Sequence, residues 1–253
     1  GCTAITTGAK RKGVWMNMFV FAGKNSRDFR MQISNKQILR AAAPDLEEQE
    51  VPGRNGTLVF SNGGYKNVVI EYSVFFMLDG IQMEPDMARK IKAWLLSDPG
   101  LYRQLYDSYD PGYFRMAYYA SGLDIDNPVR RFGRIDLSFT CKPFMYSFLG
   151  QQKCTIGKTG TIMNPEGFAS NPYIRITGTG DITLAMTAGE WHFAGVEEYI
   201  EIDCEKKITY KGLTPQNNKK QGNGYPELKP GINQIGCKGN VSKIEIVPRW
   251  CTL

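Results

Sequence analysis

The pattern that most constrains this fold is the alternation of apolar residues with polar or small ones in the second half of the chain. A period of two places every second side chain on the same face of a strand, so one face is buried and the other meets water. This is typical of antiparallel sheets rather than of parallel α/β sheets, whose strands are apolar on both faces. We therefore predict a β-sandwich from Asn171 onward. The alternating apolar positions are Ile182, Leu184 and Met186, then Ile200, Ile202 and Cys204, and finally Ile244 and Ile246.

A compact turn signal occupies the middle of the first half, in the segment Val51-Pro52-Gly53-Arg54-Asn55-Gly56. Proline followed by glycine suits the centre of a type II turn, because proline fixes φ and glycine supplies the positive φ. Asparagine followed by glycine is the preferred pair for a type I′ hairpin. The segment predicts a sharply bent hairpin tip with Arg54 at its apex. A surface turn without a partner is the alternative interpretation.

One helix is predicted downstream of this hairpin, beginning near Pro85 and ending at Asp98–Gly100. Proline suits the first helical turn, and Pro-Gly ends a helix. Its apolar residues share a stripe that indicates packing against a sheet. The segment Gly100–Tyr109 leaves room for a second, short helix, so one or two short helices are expected. The stripe consists of Met87, Ile91, Trp94 and Leu95.

The charge of the 253-residue chain is mildly positive, at a formal net value of +6. The first 40 residues contain eight basic residues and a single acidic one, Asp28. A basic arm can contact nucleic acid or an acidic partner. However, no recognition helix accompanies it, so we expect a solvated segment and no sequence-specific nucleic-acid binding. The eight are Lys10, Arg11, Lys12, Lys24, Arg27, Arg30, Lys36 and Arg40.

The six cysteines include no Cys-x-x-Cys pair, and the chain has a single histidine, so the usual zinc signatures are absent. We expect reduced cysteines, several of them in buried strands, as suits assembly in a reducing cytoplasm. No apolar run approaches the ~18 residues needed to cross a bilayer, and no membrane segment is expected. Neither a metal nor any other cofactor is predicted.

No catalytic residues are predicted. His192 is the only candidate base for a Ser-His or Cys-His mechanism, and no serine lies in a Gly-x-Ser-x-Gly elbow. The short motif Gly178–Gly180 is interpreted as a turn between strands rather than a dinucleotide fingerprint. Asp124 and Asp126 point to the same side if extended, which leaves a carboxylate-based glycosidase as a remote alternative. A polar turn is the preferred interpretation of that pair.

A carbohydrate-binding module is the main alternative function, based on Glu190, Trp191 and His192. An indole ring can stack on a sugar while the neighbouring polar groups form hydrogen bonds. The interleaved His, Asn and Arg pattern of galectin sugar sites is not visible. Core packing of Trp191 and Phe193 is therefore the competing interpretation.

Taken in order, the motifs along the chain resemble the siphophage distal tail proteins, which form the hub at the tip of a long non-contractile tail. The resemblance runs from Met18 to near the end of the chain. Its specific signal is the order of the pieces, because each motif alone is weak. The pieces are Phe19–Phe29, the turn at 51–56, Tyr65–Asn67, the strand Val68–Leu78, Trp94-Leu95, Asp110–Tyr113, Gly133–Phe144, Asn171–Ile176, Ile200–Asp203, Lys229–Asn233 and Ile244–Pro248.

This resemblance implies a structural virion protein at the phage tail tip, with six copies in a ring around the DNA channel. It implies as partners the tail-tube protein, the tail-tip hub protein and receptor-binding proteins. A closed ring needs a head-to-tail interface between two different patches. We therefore place the six residues from Val51 to Gly56 at an intersubunit or tube-facing contact, with Arg54 pairing with a carboxylate or backbone carbonyls.

The predicted domain organisation also follows this resemblance. Residues 1–17 form an N-terminal extension, derived either from upstream sequence or from cloning. Residues 18–148 form a ring-forming, β-sandwich-like domain with the helix and the projecting hairpin. A linker is predicted at 149–160, where glycines interrupt the apolar pattern. Residues 161–253 form a galectin-like antiparallel β-sandwich that serves as a docking platform.

Overall fold

The computed structural model describes residues 17–36, 40–76, 85–122 and 134–253. These residues form two compact units, the first ending at Met145 and also including Leu253, the second running from Tyr146 to Thr252. Most of the described residues lie in strands, and one α-helix is present among them. The predicted fold class, mainly β with antiparallel sheets and one or two short helices, is confirmed.

The first unit is built on one antiparallel-paired sheet with the strand order β2-β1-β7-β8-β9-β6-β3. A separate two-stranded sheet, β4-β5, is not part of it. A 3-10 turn at Ser26–Phe29 links β2 to β3. The strands are β1 (Phe19–Phe21), β2 (Lys24–Asn25), β3 (Met31–Lys36), β4 (Pro44–Glu50), β5 (Thr57–Tyr65), β6 (Val68–Phe76), β7 (Arg103–Asp107), β8 (Tyr113–Tyr119) and β9 (Arg134–Ser147), whose last two residues belong to the second unit.

The helix α1 (Pro85–Leu96) packs on this sheet as predicted, through Ile91, Trp94 and Leu95, all of which are buried. The Trp94 ring stacks on Phe29 at 4.3 Å between centroids. Its Nε1 donates a 2.9 Å hydrogen bond to the carbonyl of Phe21. The hydrogen bond satisfies the indole N–H, so the ring is buried without an unpaired donor.

The second helix for which residues 100–109 left room does not form, because residues 103–107 form strand β7 between β1 and β8. Leu105 and Asp107 are buried while Arg103 and Gln104 are exposed. Two neighbouring strands supply backbone partners on both sides of this segment, and that pairing outweighs a weak helical propensity.

The second unit encloses one apolar core with a nine-stranded antiparallel sheet. Its 3-10 turns lie at Leu149–Gln151 and Asn217–Lys219. Its nine strands are β10 (Cys154–Ile156), β11 (Thr159–Asn164), β12 (Tyr173–Met186), β13 (Gly189–Val196), β14 (Tyr199–Asp203), β15 (Ile208–Lys211), β16 (Thr214–Pro215), β17 (Lys220–Gln221) and β18 (Gly231–Val247). The last strand, β19 (Cys251–Thr252), pairs with β9 instead.

The two long strands β12 and β18 pair with each other and carry the sandwich. The first part of β12 pairs with β14 and its second part with β13. Likewise, β18 pairs with β11 through its first residues and with β10 through its last. Each long strand thus contributes to two sets of paired strands around the same core, β10-β18-β12-β14-β15-β16 and β11-β18-β12-β13-β17. The galectin-like classification of this unit stays a prediction.

Gly178–Gly180, predicted as a turn between strands, lies instead inside β12, where the pairing with β18 shifts register. A Cβ at Gly178 would lie 2.4 Å from the carbonyl oxygen of Asn240. Gly239 on the facing strand has φ +108, and a Cβ there would lie 2.5 Å from the carbonyl oxygen of Asp181. Glycine is therefore required on both strands because the backbones approach closely at this irregularity.

The predicted linker at 149–160 is not a free connection, because it contains β10 and the start of β11. Cys154 pairs with Ile246, and Thr159 with Gly236, in the sheet of the second unit. Glycines interrupt the apolar pattern here because the strands are short and lie at the sheet edge.

The polar segment 214–225 has the composition of a loop, but it contains two short strands and a 3-10 turn. Lys220 and Gln221 pair with Phe193 and His192. Backbone pairing with a neighbour orders this segment although its sequence is polar.

Two sets of predictions fall outside the described residues, namely the N-terminal extension up to residue 16 and the carboxylates of Asp124 and Asp126. They stay predictions. Within the described ranges, no helix has both the length and the hydropathy needed to span a membrane.

Candidate functional site

The hairpin of β4 and β5 is exposed along most of its length and forms a sheet of its own. Its strands pair from Glu50 with Thr57 at the tip to Pro44 with Tyr65 at the base. The backbone N–H of Lys66 donates to the carbonyl of Ala43 and closes the base. A two-stranded ribbon is at best marginally stable alone, so an isolated ribbon like this one favours a partner.

The hairpin tip contains one of the two predicted turns. The N–H of Arg54 donates a 3.1 Å hydrogen bond to the carbonyl of Val51, and Gly53 has φ +79. These are the features of a type II turn, so this prediction is confirmed. The predicted type I′ turn is wrong, since Asn55 does not have a positive φ, although Gly56 does. The connection between Glu50 and Thr57 spans six residues rather than the two of a type I′ hairpin, so a wider bend replaces that turn.

All six tip residues are exposed, from Val51 to Gly56. The structure therefore brings the predicted interface residues together at one accessible apex. Within the part of the chain that the structure describes, the Arg54 guanidinium has no ion-pair partner. A free guanidinium at an apex can pair with a carboxylate in two-point geometry.

Large apolar side chains are exposed on both faces of the hairpin. Val59 is 56% exposed, Phe60 50% and Leu46 42%. Because side chains alternate, Leu46 lies on one face with Val59, and Phe60 lies on the other. Apolar side chains on both faces of a thin ribbon are typical of a segment that is covered on association.

Strand β4 is strongly acidic, with carboxylates at Asp45, Glu47, Glu48 and Glu50. Asp45 lies 3.7 Å from Lys66. Among the described residues, none of the three glutamates forms an ion pair. Repulsion between these unpaired carboxylates is relieved when a cationic surface binds the strand.

A cavity of about 390 Å³ lies in the first unit. Two residues that line it, Arg40 and Ala41, shortly precede strand β4 of the hairpin in the sequence. On its wall, Asp107 accepts hydrogen bonds at 2.6 Å from the Lys36 ammonium and at 2.7 Å from the Tyr72 hydroxyl. Burial raises the pKa of Tyr72 well above its ordinary value, and the charge of Asp107 adds to the shift. Burial and the charge of Asp107 also raise the pKa of Asp110.

Two arginines line the same cavity. Arg115 is 8% exposed, and its guanidinium donates hydrogen bonds to the carbonyls of Pro143 and Arg40 at 2.8 and 3.3 Å. Burial lowers the pKa of the Arg115 guanidinium, which still stays protonated. Arg40 is exposed and donates to the carbonyl of Val69 at 2.6 Å. Neither arginine forms an ion pair within the described residues, although the charge of Asp110 acts on Arg115.

Sequence reasoning missed this cavity as a site. Lys36, Asp107 and Arg115 come from three different strands, so no local motif contains them. The one sequence signal was the excess of basic residues before position 41, which includes two cations of the cavity, Lys36 and Arg40. In the described parts of the chain, no group of three or more His, Cys, Asp or Glu residues is arranged to hold a metal ion.

The three predicted glycan contacts do not lie on one face. Trp191 is 4% exposed and packs in the core of the second unit, with its Nε1 donating to the carbonyl of Asn223 at 3.2 Å. Glu190 and His192 are exposed on the opposite side of the strand, where His192 Nδ1 lies 2.9 Å from the Thr183 hydroxyl. Trp191 therefore has no free ring face on which a sugar could stack.

Neither a protein-family model nor a curated protein sequence matches the chain at a significant level. Solved structures do. The crystal structure of the phage SPP1 Dit (gp 19.1) protein, described as a paradigm of the hub adsorption apparatus in Gram-positive infecting phages, matches with a TM-score of 0.71 at 15% identity. The match covers 93% of this chain and 99% of that one.

A chain of the phage p2 baseplate in its activated conformation with Sr also matches, with a TM-score of 0.50 at 11% identity. It covers 92% of this chain and 97% of that chain. The first match includes both units and nearly the whole of the SPP1 protein. The chain therefore has the fold of the SPP1 Dit hub protein.

Proposed function

We propose that this protein is a structural component of a phage tail tip, with six copies forming the ring hub that joins the tail tube to the tail-tip proteins. The observation that carries the proposal is the shared fold with a phage hub protein over 93% of the chain. The proposed role is one of assembly and requires no catalysis.

The ring contact is assigned to the hairpin. Its isolated ribbon, exposed apolar side chains and unpaired charges are features that association would stabilise. A head-to-tail ring needs a projecting patch on each copy and a different receiving patch on the next. Residues Val51 to Gly56, with Arg54 at the apex, form the proposed projecting patch.

The remaining contacts follow from the same role. The first unit surrounds the DNA channel and meets the tail-tube protein and the tail-tip hub protein. The second unit is the docking platform for receptor-binding or other baseplate proteins. Assembly takes place in the host cytoplasm, and the finished protein is located in the virion tail tip.

The test is the solution mass by light scattering over a concentration series. Six copies of the 28.5 kDa chain amount to about 171 kDa. A discrete species of that mass is expected, in equilibrium with the monomer at low concentration. A monomer at every concentration contradicts the ring.

A deletion variant tests whether the ring contact depends on the hairpin. Residues 45–64 are replaced by a two-residue Asn-Gly turn, which is feasible because Pro44 and Tyr65 are paired and the Ala43–Lys66 hydrogen bond holds the ends together. We expect a folded monomer that no longer forms the ring. Retention of the ring by this variant contradicts the assignment of the contact to the hairpin.

A further inference from the structure

The charged residues that line the cavity of the first unit are three cations and two carboxylates, which leaves a net positive charge; they are Lys36, Arg40 and Arg115 against Asp107 and Asp110. The charge of Asp107 is matched by Lys36 at 2.6 Å. Arg40 and Arg115 are left with backbone carbonyls as their partners. The charge of Asp110 offsets part of that of Arg115, whereas Arg40 forms no ion pair among the described residues, so the exposed rim of the cavity at Arg40 favours an anion.

The hairpin carries the complementary charge. Glu48 and Glu50 alternate with Gln49 and therefore lie on the same face, together with the exposed Leu46 and Val59. The cavity is likewise both basic and apolar, since Phe114 and Met145 line it together with the arginines. A face with two carboxylates and two apolar side chains matches that wall in charge and in polarity.

We propose that this cavity is the receiving patch of the ring, and that it binds the Glu48–Glu50 face of the hairpin from a second copy of the chain. The proposal rests on the hexameric ring proposed above and names its second surface. Arg40 contacts the carboxylates at the surface, and the positive charge of Arg115 attracts them from inside the cavity. The partner is a second copy because an isolated acidic strand and a cavity with a net positive charge occur on the same unit, as a head-to-tail interface requires.

Charge reversal tests this contact. The hairpin variant carries Glu48→Lys and Glu50→Lys, and the cavity variant carries Arg40→Glu. All three positions are exposed, so the fold of the monomer should be kept, which circular dichroism and thermal melting check. For each variant alone we expect the concentration of half-assembly to rise about tenfold or more, since like charges then face each other.

The decisive step is to mix the two variants. In a ring of alternating copies, each reversed hairpin meets a reversed cavity, and each unchanged hairpin meets an unchanged cavity. At a concentration too low for either variant to assemble alone, we therefore expect the mixture to regain a species of about 171 kDa, six copies of the 28.5 kDa chain.

Two controls carry the same kind of charge change elsewhere. Glu47→Lys with Gln49→Lys alters the opposite face of the same strand, and Lys24→Glu alters an exposed lysine away from the cavity. We expect both to assemble like the unchanged protein. If the hairpin and cavity variants also assemble normally, or if mixing them restores nothing, the receiving patch is elsewhere although the ring stands. If the unchanged protein forms no ring, the proposed function itself fails.

Discussion

The carboxylate of Asp203 accepts two hydrogen bonds from the guanidinium of Arg249 inside the second unit, at 2.7 and 3.3 Å. The Asp203 side chain is 3% exposed. Arg249 adopts a φ of +55, and its backbone N–H donates to the carbonyl of Gly150 at 2.6 Å. Side-chain and backbone contacts together hold this arginine in an unfavourable conformation, so the pair connects the end of β14 to the chain after β18.

Loss of Arg249 should destabilise the second unit. Arg249→Ala leaves the buried Asp203 carboxylate with the backbone N–H and the more distant, exposed ammonium of Lys206, and we expect the free energy of unfolding to fall by about 3 kcal/mol. Urea unfolding followed by circular dichroism measures the change. Lys243→Ala removes an exposed cation, and its partner Glu245 keeps the ammonium of Lys153 at 2.8 Å, so stability should change by less than about 1 kcal/mol. Equal losses of unfolding free energy in the two variants would show that the buried pair stabilises the unit no more than an exposed cation does.

Stability should also fall in acid through the same pair. Burial opposes ionisation of Asp203, but the hydrogen bond and charge of Arg249 outweigh it and hold the pKa of the carboxyl below its ordinary value. The resulting stability is present above the unfolded pKa of ~3.9 and is lost as the pH falls through the lower folded pKa. Urea midpoints measured from pH 7 to pH 2 should therefore drop more steeply in the unchanged protein than in Asp203→Asn. Parallel pH profiles would contradict this assignment.

Trp191 should behave as a core residue and not as a ligand contact. Trp191→Ala removes a buried indole, with an expected loss of about 3–5 kcal/mol in unfolding free energy. Glu190→Ala and His192→Ala change exposed side chains and should stay within about 0.5 kcal/mol. Thermal melting compares the three, and glycan-array binding provides the second readout. Glycan retention that disappears in Glu190→Ala would revive the carbohydrate-binding alternative.

Gly178 should tolerate no side chain. Gly178→Ala places a Cβ 2.4 Å from the Asn240 carbonyl oxygen, at the irregularity between β12 and β18. We expect a loss of about 1–3 kcal/mol or more, because neither backbone can move without disturbing the shared core. Gly157→Ala is the matched control, since no atom lies within 4 Å of the place its methyl group would occupy and its φ is not in the left-handed region. A neutral Gly178→Ala would mean that the two strands separate at little cost.

Gly53 should control the order of the hairpin tip rather than global stability. Gly53→Ala meets no atom within 4 Å, but its φ of +79 strains any side chain by about 1 kcal/mol. Gly64→Ala, near the C-terminal end of β5, is the matched control, because its methyl group also meets no atom within 4 Å and its φ is not in the left-handed region. Hydrogen exchange of the Arg54 amide, which is bonded to Val51, should accelerate in Gly53→Ala and remain unchanged in Gly64→Ala. Identical exchange in both would argue against the type II turn.

Local sequence patterns predicted several elements correctly. Ile182, Leu184 and Met186 alternate in β12 and are buried, and the stripe of α1 places Ile91 and Trp94 against the sheet. Such predictions succeed because period and turn chemistry depend on neighbours along the chain. The same reasoning failed for residues 103–107, where pairing on both sides of a strand outweighed local propensity.

The sequence by itself thus determined the mainly β composition, the face of the helix that is buried and the Pro52-Gly53 turn at the hairpin tip. Tertiary structure alone decided that β12 and β18 divide their pairing between two halves of a sandwich. It also placed Trp191 inside, and it gathered Lys36, Asp107 and Arg115 around one cavity. The physical reason is that alternation along a strand depends on residues adjacent in sequence, whereas strand order, register and cavities depend on contacts between residues far apart in the chain.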